Sequence, residues 1–268
     1  MLTSLILGAI VGAVLGLTGA GGGILAVPAL VVGMGWPMQQ ATPVALVAVA
    51  GSAAIGALEA FRQRLVRYRA ALLMAVAGVP LTSLGVLLAH ALPQRVLLAL
   101  FATVMLVVAG RLLSQALRPG RPDRADSRLC VGRMSPDTGR LMWSWTTGLT
   151  LAATGAVTGL MTGLLGVGGG FVIVPILRKV TNVSMHGIVA TSLMVIALVG
   201  SGGVLATVLH GTPLPLELTL WFSATTAAGM VAGRLASHRL CAQHVQVGFG
   251  GVLICVALGL MTKAALGV

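Results

Sequence analysis

GLTGAGGGILAVP, residues 16–28, and GLLGVGGGFVIVP, residues 163–175, place the same run of glycines twice in an apolar chain. The first sits in a segment that carries no charge from Met1 to Gln39. At an offset of 147, Gly16, Gly19, Gly21, Gly22, Gly23, Val27, Pro28 and Leu30 match Gly163, Gly166, Gly168, Gly169, Gly170, Val174, Pro175 and Leu177. With two extra residues in the second half, Ala41-Thr42 then falls on Ala190-Thr191 and Gly51-Ser52 on Gly200-Ser201. At an offset of 148, Gly85, His90, Leu92 and Phe101 fall on Gly233, His238, Leu240 and Phe249. The chain reads as an internal duplication: repeat 1 over 1–115, a linker over 116–140 and repeat 2 over 141–268.

Of the 268 residues 57% are hydrophobic and 8% charged, with a mean hydropathy of +1.03. These values lie outside the range of soluble domains and imply an all-α polytopic membrane protein. The formal charge of +12 comes from 17 Lys and Arg against five acids, a balance that in a soluble chain would suggest nucleic acid. Placement excludes that partner. The basic residues cluster at Arg62, Arg64, Arg67 and Arg69, in the linker, at Arg178 and Lys179, and at Arg234 and Arg239, the pattern of cytoplasmic loops. They report orientation first and contact with anionic lipid headgroups second. Cys130, Cys241 and Cys255 form neither a CxxC pair nor a metal-ligand spacing. The N-terminus lacks the basic n-region of a cleavable signal, so its apolar segment is expected to remain in the mature protein.

Counting spans gives the topology. Repeat 1 reads as helices over 39–61, 70–90 and 95–115, preceded by residues 2–35, which as one helix would be about 50 Å long against ~30 Å of hydrocarbon. The glycine run is therefore expected to break this segment into a re-entrant hairpin. A hairpin plus three crossings is an odd count, so repeat 2 must be inverted: hairpin 141–180, then helices over 187–209, 216–236 and 245–266, about ten helical segments in all. In this topology the linker is cytoplasmic, the loop HGTPLPLE, which has no Lys or Arg, lies outside, and both termini are outside. Fifteen of the 17 basic residues fall inside, with Arg95 and Lys263 the exceptions.

Non-helical backbone at membrane depth is tolerated only where it is buried in protein or lines a wet cavity, so two breaks mark a cavity. Half-helix N-termini direct N–H groups and partial positive charge at an anionic substrate, and glycine lets the backbone approach it. The candidate site is Gly21, Gly22 and Gly23 with Gly168, Gly169 and Gly170, each run opening the second arm of its hairpin. Thr42 and Thr191 are the first candidate hydroxyl donors, followed by Ser52 and Ser201. The predicted ligand is an oxyanion held mainly by amides and dipoles, because no Lys or Arg falls at mid-membrane. The competing readings are close helix packing for the glycines and bonding back to their own helix for the hydroxyls. Neither stretch reads GxGxxG and no P-loop lysine follows, which excludes nucleotide. Glu59, three residues before Arg62, reads as an interfacial ion pair and not as a proton relay. His210 reads as an exposed loop histidine, His90 and His238 as interfacial equivalents, and His238, Cys241 and His244 as a solvated face. No nucleophile–base pair, metal cluster or cofactor motif is present, so an enzyme is not expected.

GLTGAGGGILAVPAL and GLLGVGGGFVIVPIL, each followed by an Ala-Thr pair, resemble the TauE/SafE family of sulfite exporters, also called TSUP, over both halves apart from the linker. The resemblance implies a bacterial inner-membrane transporter of sulfur-containing anions such as sulfite, thiosulfate, sulfoacetate, related organosulfonates or organic acids. Substrate and direction enter only through that resemblance. One departure is Pro43, where repeat 2 has Ser192, which costs repeat 1 a hydroxyl. The expected mechanism is alternating access around a central site, driven by a proton or ion gradient or by the substrate gradient alone. An anion channel with the same amide-lined site is the alternative, and oligomeric state is left open.

Overall fold

The computed structural model describes residues 2–19, 21–116, 145–181, 184–211, 215–237 and 242–266. Ten α-helices and one short 3₁₀ turn account for these residues, with no strand among those described. Repeat 1 contributes α1 (Leu2–Thr18), the 3₁₀ turn Gly22–Leu25, α2 (Ala26–Gly33), α3 (Met38–Arg62), α4 (Tyr68–Ala91) and α5 (Gln94–Ala116). Repeat 2 contributes α6 (Trp145–Leu165), α7 (Gly170–Val180), α8 (Met185–Leu209), α9 (Leu216–Ser237) and α10 (Ala242–Leu266).

Both glycine stretches interrupt the helix in the same way. The Gly19 N–H closes α1 on the Leu15 carbonyl at 2.9 Å and the Gly166 N–H closes α6 on the Thr162 carbonyl at 2.8 Å. The two glycines then take φ of 82° and 69°, a conformation in which an ordinary residue is strained. The chain turns back on itself from there. Gly22 lies against the backbone of Leu15, and Gly33, at the end of α2, against the Leu7 side chain, so α2 runs antiparallel to α1. In repeat 2, Gly169 lies against Thr158 of α6. The arms are unequal: 17 and eight residues in repeat 1, 21 and 11 in repeat 2.

The pairing of helices is unchanged when the halves are exchanged. The long arm α1 packs on α9 and its counterpart α6 on α4; α3 also meets α9 as α8 meets α4; α3 pairs with α8 and α5 with α10. Glycine makes the first two contacts close. Gly8, Gly12 and Gly16 rest on the backbone of Phe222, Thr226 and Met230, and Gly155, Gly159 and Gly163 on that of Met74, Gly78 and Thr82. A side chain every fourth residue would hold these helices apart, and without one dispersion contact replaces the hydrophobic effect that lipid does not supply.

α3 and α8 form the centre. Their apolar windows are each 61% buried, against 33% for α5 and 28% for α10, which present their outer faces to lipid. Leu46 meets Gly203, Ala50 meets Gly200 and Gly56 meets Leu193, so these equivalent helices cross antiparallel, the direction an inverted repeat requires. Among the described residues six helices have the length and apolarity to cross a membrane: α3, α4, α5, α6, α8 and α10. α9 is long enough, but Glu217, Arg234 and its hydroxyls keep it out of that set. α6, the first arm of the second hairpin, is within it.

Candidate functional site

The two breaks meet at the middle of the central pair. A Cβ on Gly23 would stand 2.9 Å from the Val167 carbonyl oxygen and 3.0 Å from Val49 Cγ1. One on Gly168 would stand 3.0 Å from the same Val49 atom and 2.9 Å from Ile196 Cγ2. Val49 and Ile196 are each the twelfth residue of a 25-residue helix. Gly166 in turn sits against Thr42 and Gly19 against Val189, so each break is braced by the α3 or α8 helix of the other repeat.

The breaks are not conformationally alike. In the second, Gly168 and Gly169 follow Gly166 into the left-handed region, at φ 74° and 67°, and α7 begins at Gly170 as an α-helix. The Gly169 carbonyl accepts from the amides of Val172 (3.0 Å) and Ile173 (3.2 Å). The amides of Gly170 and Phe171 have no acceptor among the described residues. In the first break Gly21 is at φ −89°, and the 3₁₀ turn Gly22–Leu25 precedes α2. Each triple glycine thus stands at the start of the second arm of its hairpin, which begins as an α-helix at Gly170 in one break and as a 3₁₀ turn at Gly22 that runs on into α2 in the other.

A cavity of about 290 Å³ ends on both breaks. Gly21 lines it from repeat 1, and from repeat 2 one face of α7, from Gly170 and Phe171 at depth through Val174 to Arg178. Arg111 and Gln115 of α5, Ser237 at the end of α9 and Gln246 of α10 complete its polar part. The α7 dipole directs its positive end and the two amides inward, while two guanidinium groups line the far reach. The sequence marked Arg111 and Arg178 only as orientation charges, because nothing in spacing reveals that α5 and α7 border one cavity.

The four hydroxyl candidates do not line it. Thr42 donates to the Met38 carbonyl (2.8 Å), Ser52 to Ala48 (2.7 Å), Thr191 to Gly187 (2.7 Å) and Ser201 to Ala197 (2.6 Å). Each proton is given to its own helix, the competing reading for these hydroxyls. Thr191 Oγ1 also accepts from the Arg67 amide at 3.1 Å, tying the α3–α4 turn to α8. Glu59 pairs with Arg234 of α9 at 2.9 Å, not with Arg62, and so bridges the repeats. His210 is exposed as the C-cap of α8. No metal-binding group of His, Cys, Asp or Glu occurs among the described residues. Cys130, His238 and Cys241, and the side chain of His244, lie outside them.

At the equivalent place in the other half the space is filled. Val31, Leu97, Leu98, Phe101 and Leu260, counterparts of Arg178, Val245, Gln246, Phe249 and Leu112, are at most 2% exposed. A pocket of about 10 Å³ lies beside Leu97, between Thr42 and Leu164. Lys263, the counterpart of Gln115, donates to the Val31 carbonyl at 3.1 Å, across the gap between α10 and α2. The central cavity is thus one-sided.

The comparisons agree with this architecture. The description "Sulfite exporter TauE/SafE" matches residues 4–260. A "Probable membrane transporter protein" of Xylella fastidiosa (strain Temecula1 / ATCC 700964) is 32% identical over 260 residues, covering 94% of this chain and 91% of that protein. No solved structure matches. A duplicated helical membrane architecture, with paired glycine breaks meeting at its centre and a match across nearly all of its length, places the chain in the TauE/SafE sulfite exporter family of membrane transporters.

Proposed function

We propose that the protein is a secondary transporter of small sulfur-containing anions, such as sulfite, thiosulfate, sulfoacetate or another organosulfonate, in the bacterial inner membrane with residues 116–140 cytoplasmic. The observation that carries this reading is the one-sided cavity of about 290 Å³ that ends on both glycine breaks and is lined by α7 amides, Arg111 and Arg178. That volume is well above the minimum for a single water and admits a small anion. Its filled counterpart supports alternating access. Exchanging the conformations of the two repeats would close the present cavity and open one bordered by Leu97, Leu98 and Lys263. A proton, an ion or the substrate gradient alone supplies the drive.

A thermal-shift titration of the purified protein with sulfite, thiosulfate, sulfoacetate, taurine, sulfate and simple carboxylates tests the reading. A rise in melting temperature with one sulfur anion, lost in Gly22→Val and Gly169→Val, is expected. No shift with any sulfur anion would contradict it.

A further inference from the structure

Alternating access needs one part of the molecule to move against another, and the packing separates two bodies. In the series α1, α9, α3, α8, α4, α6 each helix backbone runs close along the next. Both ends of that series are seated on backbone through glycine, Gly12 on Thr226 and Gly159 on Gly78. α5 and α10 stand outside it. Their backbones run close along one another and come near no other helix to the same extent. Gly250 of α10 allows this approach, since a Cβ there would stand 3.1 Å from Leu113 Cγ of α5. The two helices are repeat equivalents, so the pair keeps its plan when the halves are exchanged.

The pair is open at one end and shut at the other. At the linker end, Arg111 and Gln115 of α5 and Gln246 of α10 form one wall of the cavity, and α7 from Phe171 to Arg178 forms another. At the opposite end α10 packs on α2, and Leu97, Leu98 and Phe101 of α5 are at most 2% exposed. One polar contact spans that closure: Lys263 Nζ donates to the Val31 carbonyl at 3.1 Å. Val31 stands in the last turn of α2, where carbonyls run out of helical amides; those of Met34 and Trp36 both go to Leu30. An ammonium at the negative end of a helix makes a charge-assisted bond, stronger than a carboxamide can give. Lys263 and Val31 are the counterparts of Gln115 and Arg178, at offsets of 148 and 147. The two places bridged at one end are thus on separate walls of a cavity at the other.

We propose that α5 and α10 move as one rocking gate over the glycine breaks, and that the Lys263–Val31 bond latches its outer end shut while its linker end is open. The proposal rests on the transporter reading above and names the part that moves. Lys263 acts as a positioning residue: it touches no anion in this state, and its loss shifts the balance between the two positions of the gate.

The test uses the full-length protein in liposomes, with its native cysteines replaced by Ser. An impermeant thiol reagent is applied to Leu98→Cys from the side opposite residues 116–140, with Lys263, Lys263→Met or the donor-retaining Lys263→Arg. Labelling about tenfold faster or more in Lys263→Met, with Lys263→Arg close to wild type, is expected, as loss of one charge-assisted bond predicts. A second variant, Leu113→Cys with Gly250→Cys, ties α5 to α10 through a disulfide or a short bis-methanethiosulfonate linker. Thiosulfate uptake should continue at the untied rate, because the pair moves as a unit. Labelling of Leu98→Cys that ignores Lys263→Met, or uptake stopped by the tie and restored by reductant, would overturn the gate and leave the transporter reading standing. A wild type that carries no sulfur anion would overturn both.

Discussion

At the scale of single residues, the aligned glycines have separate jobs. Gly16 and Gly163 are packing positions, Gly19 and Gly166 end a helix in the left-handed region, and Gly23 and Gly168 bring the two breaks together. Gly169 combines a φ of 67° with contact on Thr158, so Gly169→Ala adds backbone strain to a steric clash. It should cost about 1–3 kcal/mol and lower the melting temperature by several degrees. Gly51, where an added methyl group would meet nothing within 4 Å, is the control: Gly51→Ala should leave stability unchanged or raise it by up to about 1 kcal/mol. Thermal melts of both variants decide this, and equal losses would show that the breaks are ordinary helix. The hydroxyls were the least legible feature of the sequence. Thr42 and Thr191 stand in a duplicated Ala-Thr pair, yet duplication cannot tell a ligand from a residue that bonds to its own helix.

At the scale of elements, the ten helical segments were legible because the apolar runs are long and the glycines interrupt them at equivalent places. Less legible was which helix carries which arm. Every fourth residue of α1 and α6 near their breaks is glycine, but only the structure shows α9 and α4 as the partners. Gly159→Leu would drive a side chain into the backbone of Gly78, part α6 from α4, and sharply reduce the yield of folded protein in detergent. Gly148, on the same helix with nothing within 4 Å, should accept Leu without that loss. The charge at Arg178 belongs to the same scale, since α7 carries it along the cavity wall from the Gly170 amide. A helix delivers a cation and a positive dipole end to one space only when that space runs along its face, and no local pattern in the sequence states that.

At the scale of the whole molecule, the two halves share one plan but differ in side-chain chemistry. Where the cavity is lined by Gln115, Arg178, Ser237 and Gln246, the equivalent positions hold Lys263, Val31, Ala89 and Leu98, three of them buried. An impermeant thiol reagent applied from the linker side should label Gln246→Cys and leave Leu98→Cys untouched. Equal labelling would mean that the cavity is not one-sided in the membrane. The Glu59–Arg234 pair bridges α3 and α9 but is partly exposed, so Glu59→Gln should change stability by less than about 1 kcal/mol.

As a transporter, the protein would pass a sulfur-containing anion across the membrane through the cavity that ends on the two breaks. Its most direct test is uptake of radiolabelled sulfite, thiosulfate and sulfoacetate into proteoliposomes, by wild type and by an Arg111→Gln, Arg178→Gln double variant. Saturable uptake of at least one of them is predicted, with KM raised about five- to fifty-fold in the double variant at an unchanged melting temperature, as expected when charge-assisted contacts are lost. Uptake no greater than in protein-free liposomes for every one of these anions would contradict the account.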